Sequence, residues 1–130
     1  MTGAVGTSQL NTVWYDVALP QVPDVKMQPG MESAPAMLVA LTSGAVELVV
    51  TDMPTAMAAV SVYPELKLLD FTESNGNFSV SDEEINIGIM LKKGNTELLG
   101  KINEALSSLT VADFIRMMNE AISVQPLSVD

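Results

Sequence analysis

The chain contains no cysteine and no histidine among its 130 residues. These absences exclude disulfides, thiol nucleophiles, histidine bases and ordinary zinc sites. Only six residues are basic, against sixteen acidic ones, which gives a net charge of −10. Because such a surface repels phosphate backbones and anionic lipid headgroups, we expect no nucleic-acid or membrane-surface partner. No apolar run reaches the roughly 18 residues that a membrane span needs.

The residues that are present describe a globular chain with room for one modest core. Hydrophobic residues make up 48% of the sequence and charged residues 17%, a balance that argues against disorder. The first residues, Met1 to Gly6, lack the basic and apolar regions of a signal peptide, so none is expected in this chain.

Apolar patterning predicts an alternation of strands and helices up to residue 69. Pro20 and Pro23 close the first helix, Ser33 is the predicted N-cap of the second and Gly44 its C-cap. The predicted order is a strand at 4–5, a helix at 10–18, a strand at 24–28, a helix at 33–44, a strand at 46–50, a helix at 55–60 and a strand at 66–69. This rhythm is typical of the α/β class, with βαβ crossovers on a mostly parallel sheet.

The remainder of the chain follows a different pattern. A polar surface loop is expected at 72–84, a further strand at 85–91 and a loose tail at 125–130. Two amphipathic helices are predicted at 96–109 and 111–122, each with an apolar stripe at three-to-four-residue spacing. Their stripes consist of Leu98, Leu99, Ile102, Leu106 and Leu109, and of Val111, Phe114, Ile115, Met118 and Ile122.

Two segments follow predicted strands, where ligands bind in open α/β sheets. After the first strand, the hydroxyls of Thr7 and Ser8 and the backbone N–H groups around Gln9 suit a carboxylate; the alternative is that a hydroxyl only caps the helix. After the strand at 46–50, Asp52 suits a ligand ammonium; the alternative is again a cap, since Pro54 follows closely. Neither segment fits a nucleotide-binding loop. The nine methionines indicate core packing rather than a metal site.

Three stretches carry a resemblance to the second half of the polar amino-acid solute-binding proteins, the type 2 periplasmic binding proteins of ABC importers. They are the turn at 4–9, the helix–Gly–strand–Asp–x–Pro segment at 41–54 and the strand and helix start at 87–98. Their order and spacing match over essentially the whole chain. The resemblance divides the chain into a ligand-binding second lobe at 1–87 and, at 88–130, a hinge strand and C-terminal helices that return to the first lobe.

The resemblance implies an extracytoplasmic protein whose two lobes close on a free amino acid and are then read by an ABC transporter permease. In that family, the residues matching Thr7, Ser8 and Gln9 contact the ligand carboxylate, and the residue matching Asp52 binds its ammonium. It implies a binder and not an enzyme, without catalytic residues, cofactor or metal.

The chain departs from the family by lacking the first-lobe half and its carboxylate-binding arginine, which Arg116 does not match. We therefore expect a fragment that binds amino acids weakly and forms a homodimer through its C-terminal helices. Two alternatives remain: a binding module fused to a sensor or permease, and a dehydratase-type enzyme on the same fold. The latter would depend on Asp52 and Glu73 as acid or base.

Overall fold

A computed structural model describes residues 3–71 and 76–124. Within these ranges the chain is mixed α/β, built around three short parallel strands: β1 (Val5–Ser8), β2 (Lys26–Met27) and β3 (Leu48–Val50). The strand order is β2-β1-β3, so β1 is central. Gly6 pairs with Met27 on one side and with Leu48 on the other.

Two helices connect and flank this sheet, and both begin where local sequence signals predict. α1 (Ala34–Thr42) is capped by Ser33, whose Oγ accepts a hydrogen bond from the Ala36 N–H at 3.3 Å. Gly44, just past the helix end, has a φ of 78°, which explains why glycine is favoured there. α2 (Met53–Val62) begins directly after Asp52.

The buried core of the described chain contains two hydrophobic clusters. One cluster contains Ala18, Leu19, Val22 and Val50, against which Trp14, Val25 and Phe78 pack. A second contains Leu38, Ala58 and Ala59, and it also receives Tyr63, Leu66 and Ile122. Phe78 and Ile122 therefore bring the C-terminal half of the chain into contact with both clusters.

The predicted helix at 10–18 is wrong in its extent and type. The structure has a π-helical turn at Trp14–Ala18 followed by a 3₁₀ turn at Leu19–Gln21. Asn11 has a φ of 60°, which an α-helix does not allow. Thr12 then opens the turn, with its Oγ1 donating to the Gln9 carbonyl at 2.7 Å. The strand at 24–28 shortens to β2 for a similar reason, since Asp24 has a φ of 55°.

The predicted strands at 66–69 and 85–91 are not formed. The first segment follows α2 without joining the sheet. In the second, Ile85 is the last residue of α3 (Asp82–Ile85), a helix that starts with a capping box between Ser81 and Glu84. Residues 86–91 have no regular structure. A β-strand needs a neighbouring strand for its backbone hydrogen bonds, and neither segment has one in the described chain.

The two predicted C-terminal helices are confirmed as α4 (Thr96–Ser107) and α5 (Val111–Val124). Neither buries a residue, although Ile122 packs against the second core cluster. Their apolar stripes therefore remain largely in water. In the described parts of the chain, no helix combines the length and hydropathy that a membrane crossing requires. The predicted tail at 125–130 and most of the polar loop's first half, 72–75, lie outside the described residues.

Candidate functional site

The candidate ligand residues come together at one edge of the sheet. Because β1 and β3 are parallel, their carboxyl ends share an edge, and Ser8 pairs directly with Val50. Gln9 follows the end of β1, and Asp52 lies two residues beyond the end of β3, where α2 begins. The fold thus brings residues that are 43 positions apart in sequence to neighbouring strand ends.

Thr7 and Ser8 are fully buried at this edge, and both hydroxyls already donate hydrogen bonds. Thr7 Oγ1 donates to the Pro29 carbonyl at 2.9 Å, and Ser8 Oγ donates to the Val50 carbonyl at 2.6 Å. Neither hydroxyl caps the following helix, so the capping alternative is wrong for these two residues. Instead, the hydroxyls join β1 to chain segments 22 and 42 residues away.

Gln9 is the accessible member of the first segment, being only partly buried. Its backbone extends the β1 pairing through an isolated bridge to Met31. The flanking hydrogen bonds are short, with Met31 N–H donating to the Ser8 carbonyl at 2.9 Å and Leu10 N–H to the Met31 carbonyl at 2.8 Å. These two bonds to Met31 fix the backbone immediately before and after Gln9.

Asp52 caps α2, as the alternative interpretation of this residue predicts. Its Oδ1 accepts the Thr55 N–H at 2.8 Å and its Oδ2 accepts the Thr55 hydroxyl at 3.1 Å. The side chain is only partly buried, and each carboxylate oxygen has a second lone pair. The capping role therefore leaves acceptor capacity for a cation. Thr55 completes this arrangement, and its position three residues after an N-cap Asp is the sequence signal that identifies it.

Arg116 lies on α5 and is engaged by acids of its own helix. Its guanidinium contacts Glu120 at 3.2 Å and Asp113 at 3.7 Å. The other acid of the dehydratase alternative, Glu73, lies outside the described residues. No cluster of three acidic side chains that could hold a metal ion occurs within 3–71 and 76–124.

A groove of about 730 Å³ runs beside β3, and no sequence pattern predicts it. We call it the β3 groove. Its lining is mostly apolar, with a few polar side chains that include Glu47, Glu65 and Lys67. Leu48, Val49 and Val50 of β3 form one wall and the segment 65–69 forms another, with Phe71 and Phe78 beside them. These two rings meet edge to face, with centroids 6.1 Å apart.

Comparison with known proteins identifies no relative of this chain: no protein-family model, no curated protein and no solved structure matches it.

Proposed function

We propose that this chain is the ligand-closing second lobe of an extracytoplasmic protein that captures a polar amino acid for an ABC importer, and that it binds without catalysis. The proposal is supported above all by the parallel pairing of β1 and β3. That pairing sets the amide of Gln9 and the carboxylate of Asp52 at one strand edge, which is where α/β sheets bind small ligands. The resemblance of the three sequence stretches supplies the ligand class.

Asp52 is the ammonium-binding group in this proposal. A carboxylate beside a partly enclosed ammonium forms a charge-assisted hydrogen bond, which is about twice as strong as a neutral one. The two bonds to Thr55 fix the orientation of the carboxylate before ligand arrives, so little side-chain entropy is lost on binding.

Gln9 and the neighbouring backbone are the groups that face the ligand carboxylate. Direct contact with the Thr7 or Ser8 hydroxyl would require these buried groups to release Pro29 and Val50. We therefore assign Thr7 and Ser8 chiefly to fixing the turn that presents Gln9. The wall on the opposite side of the ligand is supplied by the first lobe, and this chain alone binds weakly because it encloses the ligand on one side only.

An NMR titration of the ¹⁵N-labelled chain tests the proposal. L-glutamine, L-glutamate, L-arginine and L-serine are each added up to millimolar concentration. At least one is expected to shift the amide signals of Ser8, Gln9 and Thr55 together. If none of the four shifts these signals, the proposed site is wrong.

Two matched variants then separate the charge of Asp52 from its capping role. Asp52→Asn keeps a good N-cap but removes the charge, and it is expected to weaken binding about tenfold or more, as the loss of a charged hydrogen bond implies. Asp16→Asn makes the same charge change at an exposed position and should leave binding unaltered. Equal affinities for the two variants would exclude Asp52 as the ammonium ligand.

A further inference from the structure

The outer edge of β3 has no partner strand in the described chain, where the sheet ends at β3. A free strand edge presents unpaired backbone donors and acceptors, and it readily accepts an added strand. Here the edge forms a wall of the β3 groove, which adds apolar contacts on both sides. The groove therefore has the backbone and side-chain features of a site for an extended apolar peptide.

The segment 86–91 is an apolar stretch without regular structure, and most of its large side chains are exposed. Ile87 is 100% exposed, Met90 96% and Ile89 59%. Ile87, Ile89 and Leu91 alternate with Gly88 and Met90, the period-two pattern of a strand that packs one face on a surface. The stretch contains no charged residue, so nothing in it opposes burial.

Charge favours one orientation of this segment in the groove. Lys92 and Lys93 directly follow the segment, and the charged residues that line the groove are Glu47, Glu65 and Lys67. Glu47 Oε2 accepts the Val5 N–H at 2.8 Å, so Glu65 is the acid that mainly decides the orientation. Glu47 precedes β3; Glu65 follows α2, which runs back from the carboxyl end of β3, so both acids belong to the amino end of the groove. An antiparallel strand would bring the two lysines to these glutamates, whereas a parallel strand would carry them to the other end.

We propose that two copies of this chain exchange segments, with 86–91 of each copy adding antiparallel to β3 in the groove of the other. A reciprocal exchange of this kind gives a closed twofold dimer. The exposed apolar side chains of the second half support it, among them Val111 at 75% and Ile115 at 57% on α5. The proposal concerns assembly and is independent of ligand binding.

Light scattering coupled to gel filtration tests the exchange at the level of the whole chain. At about 50 µM the wild type is expected to be a dimer. Ile87→Asp is expected to weaken the dimer at least about tenfold, because it buries a charge in an apolar groove, whereas Ile87→Val keeps it. Since Ile87 is wholly exposed, neither change removes a contact from the monomer. A monomeric wild type, or a dimeric Ile87→Asp, would overturn the proposal.

A second experiment distinguishes the groove from the helices as the contact surface. A fluorescent peptide with the sequence of residues 86–93 should bind monomeric Ile87→Asp chain, and more weakly once Glu65→Lys is introduced. Binding should recover when both peptide lysines become glutamate. If the peptide does not bind, the exchange is refuted. It is also refuted if Phe114→Glu on α5 abolishes the dimer while Ile87→Asp leaves the dimer intact. Asp52→Asn should not alter the dimer, so failure of this proposal and failure of the ligand site give different results.

Discussion

Residues 3–71 and 76–124 form two parts of opposite character, called here the first and second half. The first half contains every buried residue of the described chain, among them Leu19, Met37 and Leu38 at 0–1% exposure. In the second half no described residue is buried, although three helices form there. Helical structure in the second half therefore does not depend on a core of its own.

Local contacts explain how those helices form. Asn95 caps α4 by accepting the Leu98 N–H at 3.4 Å, and Glu97 pairs with Lys101 at 2.7 Å. Such exposed pairs each contribute only about 0.3–0.5 kcal/mol, far less than burial of one large apolar side chain, which gives about 1.5–3 kcal/mol. The helices of the second half are therefore supported mainly by local contacts and only slightly by burial.

Truncation of a large side chain should show the widest difference between the halves. Leu38→Ala, at 1% exposure in the second core cluster, should lower the free energy of unfolding by about 2–5 kcal/mol. Leu99→Ala, the same change at 46% exposure on α4, should cost less than about 1 kcal/mol. Urea unfolding followed by tryptophan fluorescence measures both. Similar losses would mean that α4 shares the core's cooperative unit.

Replacing a glycine by alanine should lower stability in the first half and raise it in the second. A Cβ on Gly6 would lie 2.8 Å from Leu48 Cδ1 and 3.1 Å from Leu19 Cδ1, so Gly6→Ala should destabilise the sheet by about 1–3 kcal/mol. Gly100 lies inside α4 with open space around it.

Gly100→Ala should therefore strengthen its helix by about 0.5–1 kcal/mol. Far-UV circular dichroism and amide hydrogen exchange across α4 report this gain, while thermal unfolding reports the Gly6 loss. If Gly6→Ala leaves the thermal stability unchanged, Leu48 and Leu19 repack freely around the added methyl group. The close approach of β1 to its neighbours would then not contribute to stability.

The strands predicted at 4–5, 24–28 and 46–50 are present as β1, β2 and β3 with other bounds, whereas the helix ends predicted most closely are those with local causes. The Ser33 cap, the Gly44 stop, the Asp52 helix start and both C-terminal helices rest on residues within a few positions of one another, and all are confirmed. The predictions of strands at 66–69 and 85–91 were wrong because a strand needs a partner that is distant in sequence. Patterning shows that a segment can pair and does not show whether an edge is available to it.

The same distinction separates the candidate site residues. The capping role of Asp52 is local, reaching only three residues to Thr55, and the sequence indicated it. The partners of Thr7 and Ser8 are Pro29 and Val50, 22 and 42 residues away, so their burial and their bonds to neighbouring strands could not be predicted. The β3 groove was missed for the same reason, since its walls come from segments whose pairing decides whether a groove exists.

The smallest expected effect concerns the start of α5 and its dependence on pH. The hydroxyl of Thr110, donating to Asp113 Oδ2 at 2.6 Å, and the Thr110 N–H at 2.9 Å hold the pKa of the Asp113 carboxyl below its ordinary value. A carboxyl whose pKa is lower in the folded state stabilises above its unfolded pKa of about 3.9, and that contribution is lost as the pH falls through the folded value. The first turn of α5 should therefore loosen below about pH 4.

Side-chain ¹³C NMR between pH 6 and pH 2 can follow the Asp113 carboxyl directly. Thr110→Ala removes the hydroxyl, which is the largest cause of the lowered pKa, so the Asp113 midpoint should rise toward the ordinary value and the turn should loosen at a higher pH. Ser108→Ala is the matched control, because its hydroxyl donates to the Ala105 carbonyl instead, and it should leave the midpoint in place. An Asp113 midpoint that is indifferent to Thr110→Ala would show that this local contact does not form in solution, and that the second half of the chain is held even more loosely than its helices suggest.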